Sequence, residues 1–246
     1  MRKFFGVALE FNHVLFFQRV ADFCKIKQAA YICVVDANVL TMARNNEEYR
    51  EVVNAADVNT CDGSSIAWFA SMIYGEKYRA LNGPDIFDTL IKDTKYKHVL
   101  LGSTEETISK IWNKMQILGL DTKAIVHYDV PFLSVDQFDY AKIANDLNEL
   151  EADIIWVSLG APKQELFMHR LKPFLKSGVM FGIGAAFNFY VGEIKMAKAR
   201  FFGLRFIWIN RIMTDPIRLS KRLGPYLFEI PKMIWGELKL KRLNNG

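Results

Sequence analysis

The stretch Asp153-Ile154-Ile155-Trp156-Val157-Ser158-Leu159-Gly160-Ala161-Pro162-Lys163-Gln164-Glu165 changes character abruptly at its glycine. An apolar, β-rich run stops, and polar side chains follow. That reads as a buried strand delivering a loop and then a helix start. The same pattern recurs along the chain. Residues 31–35 run into Asp36-Ala37-Asn38, 57–60 into Cys61-Asp62-Gly63-Ser64, and 97–102 into Gly102-Ser103-Thr104, with further β-rich runs at 124–128 and 179–184. Helical periodicity fills the intervals, and this alternation predicts a largely parallel sheet covered by helices. In such sheets ligands bind beyond the carboxyl ends of the strands, so the polar turns are expected to converge on one site. Ser103, with Glu106 three residues on, reads as a helix N-cap, and Ser134 as the start of an amphipathic helix running to Leu150.

At 246 residues and 51% apolar, the chain can bury one substantial core, and a single main domain is expected. The three cysteines, Cys24, Cys33 and Cys61, have neither zinc nor dithiol spacing, which suits a reducing cytosol. Residues 4–17 superficially resemble a signal peptide, but Glu10 and His13 interrupt them, and they read instead as a first strand entering a helix. The long apolar run 179–191 is broken by Asn188, so no segment is expected to span a bilayer. Net charge is +5 overall, yet from Arg200 onward ten basic residues face three acids. Phe201, Phe202, Phe206, Trp208, Tyr226, Phe228 and Trp235 share that tail. Basic residues interleaved with aromatic ones suit an anionic membrane surface. Nucleic acid is the competing partner, favoured less because the apolar residues fall in helical stripes.

Asp62 follows a β-rich run and precedes an apolar helix, where a carboxylate facing the crevice could take a proton from an attacking hydroxyl. The alternative is an ordinary turn or cap aspartate. Gly160, Lys163 and Gln164 sit at a helix start suited to phosphate or sugar hydroxyls, or they form a plain loop-to-helix joint. Gly182-Ile183-Gly184 lacks the third glycine of a dinucleotide fingerprint, and no P-loop or Gly-x-Ser-x-Gly elbow is present. There is no Asp-x-Asp pair. His13, His98, His127 and His169 lack metal-ligand spacing, so each reads as structural and no metal is expected.

Four blocks in order, Ala56-Asp57-Val58-Asn59-Thr60-Cys61-Asp62-Gly63, residues 159–165, 182–192 and 203–218, resemble the WecG/TagA/CpsF family, glycosyltransferase family 26. The resemblance covers almost the whole chain, and its Leu-Gly-Ala-Pro-Lys-Gln-Glu block is the most specific part. It implies an inverting, metal-independent transfer from a UDP-hexose to an undecaprenyl-diphosphate-linked sugar, in the synthesis of cell-wall, capsular or exopolysaccharide polymers. It makes Asp62 the base, Asn38 the strand-end asparagine and Gln164 the donor-site glutamine. Arg211 and Arg218 match tail arginines that fold over the site to hold diphosphate charge, with Lys221 and Arg222 beside them. Three positions depart from the family pattern: Asp36 replaces a threonine, Arg79 is displaced by one residue, and Asn188 replaces an aspartate. The expectation is therefore an α/β, Rossmann-like catalytic domain at 1–196, with Gly102 among its strand-end contacts. A basic, aromatic helical appendage at 197–246 would place the protein in the cytoplasm, peripheral on the inner face of the cell membrane. A homo-oligomer is compatible with this reading, and no cofactor besides the donor is required. A binding module without catalysis is the alternative; it would keep Gln164 and the tail without needing Asp62.

Overall fold

The computed structural model describes residues 2–194, 200–201, 204–205 and 216–244, with side chains described for 3–194 and 229–243. The chain opens on a hairpin, β1 (Arg2–Phe4) and β2 (Val7–Leu9), and then α1 (His13–Lys25). The elements that follow alternate: β3 (Ala29–Val35), α2 (Ala37–Asn45), α3 (Glu47–Asn54), β4 (Val58–Cys61), α4 (Ser64–Tyr74), α5 (Gly83–Leu90), β5 (His98–Gly102) and α6 (Glu105–Ile117). The series continues with β6 (Ile125–Tyr128), α7 (Tyr140–Glu149), β7 (Ile154–Ser158), α8 (Lys163–Leu171), β8 (Gly178–Gly182) and α9 (Ala186–Tyr190). A two-residue pair, β9 (Arg200–Phe201) and β10 (Leu204–Arg205), precedes the long helix α10 (Pro216–Asn244).

The main sheet has six strands in the order β4-β3-β8-β7-β5-β6, all parallel. Successive residues of each strand feed opposite layers. Tyr31, Cys33 and Val35 join one core with Ile155, Val157 and Met180, while Ile32 and Val34 join the other with Ile154, Trp156 and Phe181. Strands buried on both faces must be apolar throughout, which is why the β-rich runs could be read directly. The first layer is covered by α2, α3, α4, α7 and α8, the second by α1, α5, α6 and α9.

This arrangement creates the crevice. The helix after β8 leaves on the second face, whereas those after its neighbours β3 and β7 leave on the first. The turns at the carboxyl ends of β3, β7 and β8 therefore part, as at the switch point of an open α/β sheet. The expected Rossmann-like parallel sheet is the observed one.

Several local expectations are corrected. The N-terminus is a hairpin turning through Phe5 and Gly6, both at positive φ, rather than one strand entering a helix. Gly102 and Ser103 both take left-handed conformations, which lengthens the turn by one residue and moves the N-cap of α6 to Thr104. Ser134 opens only a short 3-10 turn, and Asp139 caps α7 by accepting from Lys142 N at 2.9 Å. Gln137 bonds back to the Ser134 backbone, closing that turn before the helix begins.

The C-terminal half of α10 packs on α2 and α4. Met233 and Glu237 are buried there, at 5% and 4% exposure, and one helical turn further on Lys241 Nζ donates to the Ile73 carbonyl at the end of α4. Arg44 on α2 pairs with Glu229 at 3.4 Å. The opposite side of the helix exposes Trp235, Leu238 and Leu243 among Lys232, Lys239 and Arg242. No described helix is long and apolar enough to cross a membrane.

Candidate active site

β4 ends at Cys61, and Asp62 is its first residue outside the strand. The Asp62 backbone N–H donates to Val35 O at 2.9 Å, extending the β3–β4 ladder by one rung. Its carboxylate does not cap α4, whose N-cap is Gly63 without a side-chain bond. Instead Asp62 Oδ1 accepts from Gly83 N at 3.2 Å, at the start of α5. A helix start favours a negative charge and fixes the carboxylate's direction. The turn supplying that N–H is itself ordered by Asn82, whose Oδ1 accepts from Asp85 N at 2.9 Å.

Gly83 also ties Asp62 to the centre of the crevice. A Cβ added at Gly83 would lie 3.6 Å from the carbonyl of Ile183 and 3.5 Å from Val34, so the α5 start rests on the exit of β8. The next residue along that exit, Gly184, donates its N–H to Gln164 Oε1 at 3.0 Å. Gly160 N donates to the same oxygen at 3.1 Å. Gln164, only 4% exposed, thus brackets the turns after β7 and β8. Ser158 Oγ adds a third tie by donating to Gly184 O at 2.8 Å. Asp62 and Gln164 are therefore linked through one short chain of contacts, Asp62 to Gly83 to the β8 exit to Gln164.

The remaining predicted residues distribute around this chain. Asp36 is the N-cap of α2, its Oδ1 accepting from Val39 N at 2.9 Å, and Asn38 lies in the first turn of the same helix. Gly160 has φ +75° and Gly102 φ +81°, conformations that favour glycine. A Cβ at Gly102 would press on Leu159 at 3.1 Å. Lys163 opens α8 with its Nζ 4.9 Å from the Phe132 ring centroid and 5.0 Å from that of Phe138. Arg79 is an exposed residue of the loop between α4 and α5. Asn188 lies at the edge, where its amide donates to Glu193 Oε2 at 3.0 Å and Glu193 pairs with Lys110 at 2.7 Å. Arg211 lies outside the described residues. Arg218, Lys221 and Arg222 belong to α10, but their side chains also lie outside what is described.

Sequence reasoning passed over Glu165. It is fully buried, its Oε1 accepting from Gln164 Nε2 at 2.8 Å and its Oε2 from Tyr49 OH at 3.0 Å. Burial pushes its carboxyl up from the ordinary 4.5 to about 7, with the nearby Asp36 charge adding to the rise. Among the described residues no group of three His, Cys, Asp or Glu is arranged to hold a metal ion. Two histidines are engaged elsewhere: His98 lies between Trp156 and the Asp93 carbonyl, and His169 meets Tyr31 OH at 3.2 Å; His127 Nε2 lies 3.3 Å from Gly102 O at the end of β5.

A parallel sheet with a carboxylate and a glycine-flanked amide at its carboxyl edge defines an α/β protein with a candidate ligand crevice there. The profile described as Glycosyl transferase WecG/TagA/CpsF family matches residues 3–245, and the chain belongs to that family. Two curated relatives carry the name N-acetylglucosaminyldiphosphoundecaprenol N-acetyl-beta-D-mannosaminyltransferase. The one from Bacillus spizizenii is 26% identical over 222 residues, covering 87% of this chain and 81% of the relative. The one from Bacillus subtilis strain 168 is 24% identical over 216 residues, covering 87% and 80%. The chain is accordingly a glycosyltransferase, with relatives that act on a lipid-diphosphate-linked sugar.

Proposed function

We propose that this chain transfers a hexose from a UDP-sugar to a polyprenyl-diphosphate-linked sugar, with inversion at the anomeric carbon and without a metal. The observation that carries the reading is the link between Asp62 and the Gln164-bracketed turns across the mouth of the crevice. In this reading the acceptor hydroxyl gives its proton to the Asp62 carboxylate as its oxygen attacks the anomeric carbon. The bond from that carbon to the diphosphate oxygen breaks on the opposite face, and UDP departs with the electron pair. Lys163 at the α8 start, with Arg211, Arg218, Lys221 and Arg222 from the tail, supplies the positive charge that the leaving diphosphate requires. N-Acetylmannosamine is the donor sugar favoured by the relatives' names, and an N-acetylglucosamine-bearing lipid diphosphate the acceptor.

The outward side of α10 supports a membrane-facing role for the tail. Trp235 and Leu238 beside Lys232, Lys239 and Arg242 combine apolar insertion with attraction to anionic lipid. β10 lies beside α4, the helix that follows Asp62. The test is a panel of UDP-sugars incubated with a lipid-diphosphate-linked monosaccharide. UDP release and a disaccharide product with one donor support the reading. UDP binding without turnover on any donor would leave only a binding module.

A further inference from the structure

Gln164 poses a problem of orientation. Its side-chain amide has two ends of nearly equal size, yet only the oxygen can accept from Gly160 N and Gly184 N. Turned over, its NH2 would oppose two N–H donors, and the turns after β7 and β8 would lose their common tie. Glu165 prevents this. Its carboxyl oxygen accepts from Gln164 Nε2 at 2.8 Å, so the amide nitrogen is held away from the glycines. The carboxyl is aimed in turn by Tyr49, a buried residue of α3 on a separate element, donating at 3.0 Å. Beyond its place in the first turn of α8, where a negative charge is favoured, nothing else about the location calls for a carboxylate. Glu165 has no exposed surface, and among the described residues no lysine, arginine or histidine forms an ion pair with it. Filling that volume with leucine or methionine would spare the desolvation of a carboxyl, which burial here opposes strongly. Groups that violate the packing rules without a structural return concentrate at functional sites.

We propose that Glu165 is a positioning residue: with Tyr49 behind it, its buried carboxyl dictates the orientation of the Gln164 amide, and through it the spacing of the turns that receive the nucleotide-sugar. This rests on the function proposed above, with the donor at these turns.

The experiment compares the full-length protein with Glu165→Leu, Glu165→Gln, Gln164→Glu and the double exchange Gln164→Glu/Glu165→Gln. UDP affinity by calorimetry, donor KM and kcat, and thermal melting are the readouts. Glu165→Leu should weaken UDP and raise donor KM by about ten-fold, the order expected when one hydrogen bond is lost, with kcat changed much less and the melting point maintained. Glu165→Gln should stay close to wild type, since its own oxygen can accept where the carboxyl did. Gln164→Glu should weaken UDP at least as much, because two carboxyls then meet. The double exchange should recover most of that loss, since a carboxylate then accepts from both glycines while an amide nitrogen points back at it. Wild-type UDP affinity in Glu165→Leu, or no recovery in the exchange, would overturn the proposal. If Glu165→Leu fails to fold, the exchange against Gln164→Glu decides alone. Absence of UDP binding by the wild type overturns both this proposal and the donor assignment, whereas UDP binding without sugar transfer overturns catalysis only.

Discussion

Glu237 sits in a basic tail yet is one of the most buried charged residues, 4% exposed, and replacing it with alanine should release α10 from the rest of the fold. Its Oε2 accepts from Phe5 N at 2.8 Å in the N-terminal hairpin turn, and its Oε1 accepts from Tyr74 OH at 2.5 Å on α4. Hydrogen bonds to a charged group contribute roughly 1.5–3 kcal/mol each. Water entering the vacated space would satisfy part of what is lost, so Glu237→Ala should weaken docking of the helix by about 2–4 kcal/mol. At about 3 kcal/mol the docked fraction relative to undocked falls roughly a hundred-fold or more. Glu237→Gln should lose about half as much, since its oxygen serves one donor while its NH2 faces the other. Hydrogen exchange across residues 229–243 measures the opening directly, because local release exposes those amides while the six-stranded core stays protected. Wild-type exchange rates for α10 in Glu237→Ala would refute the assignment of Glu237 as the residue that fastens it.

Three further outcomes follow from particular contacts. Gly182→Ala places a Cβ 2.7 Å from Met168 Cε and 3.2 Å from Gln164 Nε2; the methionine tip can yield but the bracketed amide cannot, so a loss of about 1–3 kcal/mol in denaturant unfolding should accompany weaker UDP binding. Because burial lifts Glu165 from 4.5 to about 7, the native state keeps a proton that the unfolded chain releases between those values. Stability should therefore fall as pH rises from 4.5 to 7, by up to about 3 kcal/mol, and Glu165→Gln should remove that slope; parallel profiles for the two proteins would show the carboxyl is not so perturbed. Replacing outward-facing Trp235 and Leu238 with serine should reduce binding to vesicles containing phosphatidylglycerol while leaving α10 exchange unchanged, and unchanged vesicle binding would remove this face from the membrane account.

The sheet was legible because of its burial. Central strands covered on both faces must be largely apolar, so β3, β5, β7 and β8 appear in the sequence as short apolar runs, while the edge strands β4 and β6 carry polar residues; each of the six is displaced from its expected bounds by no more than two residues. Turns were less legible, since conformation there depends on backbone angles that residue type only biases. Ser103 looks like a cap but adopts φ +71°, directly after Gly102 at φ +81°. At the site, Asp62 was recognisable from its strand-end position, whereas its partner N–H belongs to Gly83, twenty-one residues away and visible only once α5 folds against β8. Asp36 shows the reverse: a carboxylate that suggested sugar recognition also has a structural task at the α2 cap. Glu165 and Glu237 were missed for a common reason. An acid in a first helical turn or in a cationic tail looks like a solvated charge, and only packing against α3 in one case and the hairpin in the other reveals that each is buried.

Replacing the Asp62 carboxylate with its isosteric amide probes the account most directly, because asparagine keeps an oxygen for Gly83 N but cannot take the acceptor's proton. UDP affinity by calorimetry should remain within a few-fold of wild type, while sugar transfer to the lipid-diphosphate acceptor should fall by about a hundred-fold or more. Turnover by Asp62→Asn at the wild-type rate would contradict the assignment of the base, and with it the chemistry built on this crevice.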